Sequence, residues 1–573
     1  MPFALLLALA ATAGATALTY LYEEEALLWS RLCAGVCVGM ALLGLAGFVL
    51  ASRLGMTPLA LALAGVLSAS PLLLLLRRDL RARAGRDARE GLRVARESFA
   101  LRRGGAGGVL VFYLAAALVF WFVFAHAMYR DARGIFTGVD TNIGDLPFHL
   151  AVVTGFAYGD NFPPQHPEFA GARLTYPFVV DFVTAMFVHA GASLEGAMFW
   201  QSFALMSAVV GLLLRWAAKL TRSRGAAMVA TALVLLSGGF GWWAFLKEAE
   251  SGGRGVFGML GGLEHDYTIM GHLGYQWGNA VTALFITQRS IVLGVALALV
   301  VLTLWWQASE KAKGERQKAK EGSEEGSAAS VVESRGVGKK KVKGKAQGGS
   351  RTAQARSRHK AGRDRARRDE AKHAAEAQAA GDASFAFCLS PFAFREMVAA
   401  GLAAGLLPLV HAHTFVVLML VGACLALAQG AAVLLMRRGE GGAAPVASVE
   451  ESEGGAASAW ARVWRVWLPW LAFAAAASVL ALPQMFWATR ETAARAGQFF
   501  GWEFGWAHGE ENVVWFWIKN TGFFIPLLVA ALVWRGRAPV VSKRLLFFFL
   551  PFVLCFVVPN VYKLSPWVWD NIK

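Results

Sequence analysis

Long apolar runs constrain this chain more than any other feature. The first three cover residues 5–18, 26–50 and 58–76. About 18 apolar residues suffice to carry a helix across roughly 30 Å of hydrocarbon. A membrane barrel would read instead as short segments of alternating polarity. The expected fold class is therefore all-α, a polytopic transmembrane helical bundle. Composition agrees, with 56% of residues hydrophobic and 17% charged, where a soluble domain carries about a quarter charged.

The formal charge of +17 would suit a nucleic-acid binder, but its position argues otherwise. Much of the excess lies between Gln307 and Gln378, in runs such as Lys339-Lys340-Lys341. That segment is nearly free of large apolar residues and is expected to be a disordered basic cytoplasmic loop, 307–384, that fixes topology. Anionic headgroups are its alternative partner. The five cysteines fall in or beside apolar runs without metal-ligand spacing, so free thiols are expected.

Positive charges near span ends set orientation. The arginines between Arg77 and Arg103 belong in the cytoplasm on that rule, and the next span, about 109–128, leads to an outer loop over 129–173. The span at about 195–216 ends in Lys219, Arg222 and Arg224, again a cytoplasmic signature. Both placements hold only if 174–190 does not cross. This segment is short and contains Pro177 and Asp181, which suits a re-entrant or interfacial helix. Further spans follow at 226–246, 289–306, 397–410, 415–436, 466–487, 513–534 and 545–558, roughly twelve in all. The chain divides into N-terminal spans with a basic segment (1–106), a membrane core with the outer loop (107–306), the basic loop, and C-terminal spans (385–573).

On this topology the unusual polar groups gather on the non-cytoplasmic side. They include Asp140, Asp145 and His149 in the first outer loop, Gln288 and Arg289 at a span entrance, and His411 and His413 in a tight turn. The C-terminus adds Lys563, Asp570 and Lys573. Ionisable groups at membrane depth cost a few kcal/mol each, so such a gathering reads as a site. Blander roles exist for each. Asp140 or Asp145 suits a helix cap, Arg289 suits an interfacial snorkel, and the two histidines suit a satisfied polar turn. Glu264, His265 and Asp266 lie in a Gly-rich loop. Trp502, Trp506, Trp567 and Trp569 suit an interfacial belt or a sugar-stacking surface.

The order and shared sidedness of these motifs resemble the polytopic GT-C-fold glycosyltransferases, in an uncharacterised branch. An acidic residue lies in the first large outer loop, a Pro-containing interfacial segment (Leu174-Thr175-Tyr176-Pro177-Phe178) follows, and the next span ends in arginines. The resemblance covers about 109–573, with the three N-terminal spans extra to the usual core. It implies a sugar donor on a polyprenyl or dolichyl phosphate and an inverting displacement. Asp145, or failing that Asp140, would be general base, and Arg289 would stabilise the leaving phosphate. His149, Gln288, His411, His413, Lys563, Asp570 and Lys573 would bind substrate. A divalent metal, Mg²⁺ or Mn²⁺ on Asp140 and Asp145, is compatible but not required. The expected partners are the lipid-linked donor and membrane lipids, in a bacterial inner membrane or an ER membrane. The competing class is a multi-span transporter or lipid-substrate carrier, which would place its ionisable groups inside broken helices near the midplane.

Overall fold

The computed structural model describes residues 1–24, 26–99, 106–334, 393–440, 455–489, 501–534 and 541–564. Three N-terminal helices, α1 (Pro2–Tyr22), α2 (Leu28–Leu54) and α3 (Pro58–Ala69), pack on one another. A 3-10 stretch, Ser70–Leu76, prolongs the third. Arginine-rich α4 (Arg78–Phe99) and apolar α5 (Ala106–Ala127) follow. A small antiparallel hairpin, β1 (Tyr129–Asp131) with β2 (Gly134–Phe136), and a 3-10 turn (Asp140–Asn142) lead to α6 (Asp145–Gly159). Next come α7 (Val179–His189), α8 (Leu194–Thr221), α9 (Arg224–Leu235), α10 (Gly241–Ser251) and α11 (Gly255–Leu260). A π-helical turn (Ala280–Phe285) precedes α12 (Arg289–Ser334), and then α13 (Phe394–Gly405), α14 (Pro408–Glu440) and α15 (Gly455–Thr489). Strand β3 (Gly501–Trp502), helices α16 (Val513–Thr521), α17 (Phe524–Val533) and α18 (Lys543–Val557), and strand β4 (Tyr562–Lys563) complete the described chain.

Among the described residues, nine helices are long and apolar enough to cross a membrane, or up to ten if α16 and α17, bent by 99°, form one span. They mark a membrane-embedded, multi-pass, all-α protein. Three expected spans are shorter or broken. Helix α9 stops at Leu235 and α13 has 12 residues; at 1.5 Å per residue, 12 residues reach about 18 Å. The first break has a local cause, because Gly238 and Gly239 adopt φ +156° and +69°, values a helix cannot carry. Helix α7 is also short, and all of residues 179–188 are buried in protein. It packs against α2, α6, α8 and α12 as a short internal helix, where a re-entrant or interfacial one was expected. Pro177 stands before it and not within it. Residues 307–334 of the expected loop continue α12 as helix; their Ala, Glu and Lys residues are good helix formers. Residues 335–384 lie outside the described residues.

The core is centred on the apolar part of α12, which touches α2, α7, α8, α13 and α14. Of its best apolar window, 83% is buried. Trp305 stands edge-on to Trp470 and Phe473 of α15. Lipid tails are as apolar as leucine, so helix association here rests on close packing. Helix α13 shows this directly. A Cβ at Gly401 or Gly405 would lie 2.3 Å from the Phe473 carbonyl oxygen or 2.6 Å from that of Ala477.

Candidate functional site

The site is assembled from five chain segments whose ends are tied together. After α5, the loop is fastened back by Asn142, whose Nδ2 donates to the Ala127 carbonyl at 3.2 Å. Thr141 Oγ1 donates to the Thr282 carbonyl at 2.9 Å, joining the loop to the π-helical turn. That turn is itself capped by Asn279, whose Oδ1 accepts from Val281 N and Thr282 N. The Asn279 amide donates to the carbonyls of Leu235 and Ser237, closing the end of α9. These bonds set the start of α12, and therefore Arg289.

Helix α6 begins with Asp145 in its first turn, where a carboxylate meets the positive end of the helix dipole. Pro147 is also harmless there, because the first N–H groups have no intrahelical partner. One turn on, His149 points inward and is 1% exposed. Its Nδ1 lies 2.6 Å from Asp181 Oδ2 and its Nε2 lies 3.0 Å from the Thr287 carbonyl oxygen. The other oxygen of Asp181 accepts from Arg289 NH1 at 2.8 Å. Arg289 NH2 donates to Thr184 Oγ1 at 2.9 Å and Gln201 Oε1 at 2.8 Å. Gln201 Nε2 returns to the Val180 carbonyl at 3.1 Å. All five side chains are buried. Among the described residues, the buried Arg289 Nε has no hydrogen-bond partner.

The protonation of this cluster follows from its geometry. A carboxylate and a carbonyl only accept, yet each faces a nitrogen of the same imidazole ring. One proton therefore lies between His149 and Asp181, and a second sits on Nε2. Burial opposes the charged imidazole, but Asp181 outweighs it and holds the His149 pKa above its ordinary value. Burial likewise opposes the Asp181 carboxylate, and His149 with Arg289 outweighs it, holding that pKa below the usual range.

His149 and Arg289 line one small, half-open cavity, together with Asn142, Ser202 and an apolar wall. The wall comes from Phe124 of α5 and Met128 just after it, Leu146 of α6, Met198 and Phe199 of α8, and Ile286. Phe199 also stacks edge-on with Trp121 and Trp200, both half exposed, so the aromatic surface continues outside the cavity. Comparisons with family models, with curated proteins and with solved structures found no match to this chain.

The expected site residues divide accordingly. His149 and Arg289 meet in the cavity, and Asp145 lies within electrostatic reach of the His149 ring. Gly144 holds the cap position of α6, so Asp145 is the first helical residue. Arg289 is not a snorkel, being 5% exposed and paired to Asp181. Asp140 is exposed on its 3-10 turn, and Gln288 is half-buried. His411 and His413 do not form the turn between spans, which falls at residues 406–407, just before Pro408 starts α14. His411 instead makes a kink inside α14 (φ −160°, ψ 94°), buried against α12 near Gly294, with its Nδ1 2.7 Å from Thr414 Oγ1. His413 is exposed beside it. Lys563 pairs through its backbone with Gly501. None of these three lines the cavity. Asp570, Lys573, Trp567 and Trp569 lie outside the described residues.

Among the described residues, the acidic–imidazole group compact enough to share an ion is Glu248, Glu264 and His265, with ligand atoms within 4.8 Å of one another. Two of the three are exposed, and neither Asp140 nor Asp145 belongs to it. Sequence reasoning missed Asp181, Thr184 and Gln201 as site members. A legible signal existed for the first, a lone carboxylate inside the apolar run Val179-Val180-Asp181-Phe182-Val183.

Proposed function

We propose that this chain is a membrane glycosyltransferase of GT-C type with roughly twelve spans, using a polyprenyl- or dolichyl-phosphate sugar on the non-cytoplasmic side. One observation carries the reading. A buried arginine with a free Nε–H lines a cavity whose wall is apolar and aromatic, and a carboxylate stands one helical turn from its floor. Such a cavity suits an anionic head on an apolar chain. The acceptor oxygen attacks the anomeric carbon and its proton passes to Asp145 as general base. The bond from that carbon to the phosphate oxygen breaks, and the electron pair leaves with the lipid phosphate, stabilised by Arg289. The anomeric centre inverts. The full chain in vesicles with a radiolabelled polyprenyl-phosphate hexose should transfer label to an acceptor. Asp145→Asn should lower turnover by about 10²-fold or more while donor binding persists. Turnover within twofold of wild type would remove Asp145 from the mechanism.

A second reading draws on a different feature. The break after α9 abuts the break between α16 and α17, since a Cβ at Gly239 would lie 2.5 Å from the Lys519 carbonyl oxygen. Buried Lys519 stands there, paired to Glu511. Crossed broken helices with a buried ionisable group are the arrangement carriers use. Sugar-lipid translocation without transfer would favour it.

A further inference from the structure

A buried carboxylate beside a buried arginine normally forms a closed pair, with its charges spent on each other. Here the carboxylate has a second cationic partner. Asp181 accepts from Arg289 on one oxygen and faces His149 Nδ1 on the other, while His149 Nε2 is held by the Thr287 carbonyl. The ring and the carboxylate together keep a proton that a neutral imidazole would not supply. Counted as a unit, protonated His149 and ionised Asp181 cancel, and the charge of Arg289 remains.

We propose that His149 is a charge-compensating residue. By sharing a proton with Asp181 it leaves Arg289 uncancelled and makes the cavity a binding site for a tetrahedral oxyanion, phosphate- or sulfate-type, carrying an apolar chain. Arg289 lines that cavity, and its buried Nε–H has no hydrogen-bond partner among the described residues. Among the described residues, the cavity lining supplies no further cation. From α5, the Asn142 turn and α8 the cavity receives only uncharged groups, such as Phe124, Asn142 and Ser202. The charges acting on the ring are Asp181, Arg289 and Asp145. Asp145 is half-buried and partly screened by water, and in the transferase reading it loses its charge when it takes the acceptor proton. The inference deepens that reading, because the same cavity would hold the lipid phosphate, but its test requires no sugar transfer.

The probe is n-hexyl sulfate, an anion of fixed charge with a short apolar tail, titrated calorimetrically into the purified full chain at pH 7. Wild type should bind it. His149→Gln leaves Asp181 to neutralise Arg289, and affinity should fall about tenfold or more. Asp181→Asn removes the carboxylate together with the need to cancel it, so affinity should stay within about threefold of wild type. The decisive variant is the double change His149→Gln with Asp181→Asn, which should recover to about the same level, because Arg289 is again uncancelled. Failure of wild type to bind, full binding by His149→Gln, or a double variant no better than that single one would each overturn the proposal. Should the His149 variants fail to fold, ¹⁵N-histidine spectra of wild type and Asp181→Asn at pH 8 decide it. One imidazolium signal present in wild type should be lost in the variant, and identical spectra would overturn the inference. The predicted binding pattern without any sugar transfer would uphold this inference and remove the transferase reading.

Discussion

At the scale of single residues, the His149–Asp181–Arg289 cluster is held by opposed costs. Each group is buried and would be strongly penalised alone, so removing one partner strands the others. Arg289→Leu should therefore destabilise the fold by about 3–5 kcal/mol, the usual result of breaking a buried pair, read as a fall in thermal midpoint in detergent. The pH dependence follows from the two shifts. Asp181 has a lowered folded pKa, so its contribution is present above the unfolded value of about 3.9 and fades as pH falls below it. His149 has a raised folded pKa, so its contribution is full below about 6.5 and fades as pH rises through the folded value. Thermal stability should be highest between about pH 4 and 6.5, and His149→Gln should abolish the alkaline decline. An unchanged alkaline decline in that variant would assign it to another group. Of this cluster, the sequence showed His149 and Arg289 as polar residues beside apolar runs. It did not show that they meet, because the bonds joining them span separations of 32, 108 and 138 residues, and no local pattern encodes such distances.

At the scale of elements, run length predicted long helices well and helix breaks poorly. The span expected over 226–246 contains Ser237-Gly238-Gly239, a turn signal that hydropathy averaging hides. Helices α16 and α17 meet at Gly522 with φ +60°, packed on Gly239. A valine at Gly239 would demand a left-handed backbone from a β-branched residue and place its Cβ on the Lys519 carbonyl. Gly239→Val should thus lower the thermal midpoint sharply, whereas Gly253→Ala, also at positive φ (+70°) but with open space around it, should cost only about 1 kcal/mol. Gly401→Leu should separate α13 from α15, with a loss of 1–3 kcal/mol or more typical of overpacking; cysteine crosslinking between the two helices would report it. The kink at His411 was illegible for a related reason: Pro408 marks a helix start, and the disturbed backbone lies three residues inside it.

At the scale of the whole molecule, the apolar runs made the multi-pass helical class legible, because bilayer thickness sets helix length whatever the function. Function is less legible, since the cavity draws on α5, α6, α8 and the start of α12, scattered from Phe124 to Arg289, whereas the C-terminal broken helices lie between Val513 and Val533. Two regions therefore compete as the place where a lipid-linked substrate sits. Photo-crosslinking with a diazirine-bearing polyprenyl phosphate, followed by peptide mapping, separates them. Adducts on the cavity-lining residues Phe124, Met128, Met198 and Phe199, reduced in Arg289→Gln, are the result expected here. Adducts confined to the crossing of the broken helices around Phe240 and Phe523 would contradict the assignment of the His149–Asp181–Arg289 cavity as the functional site.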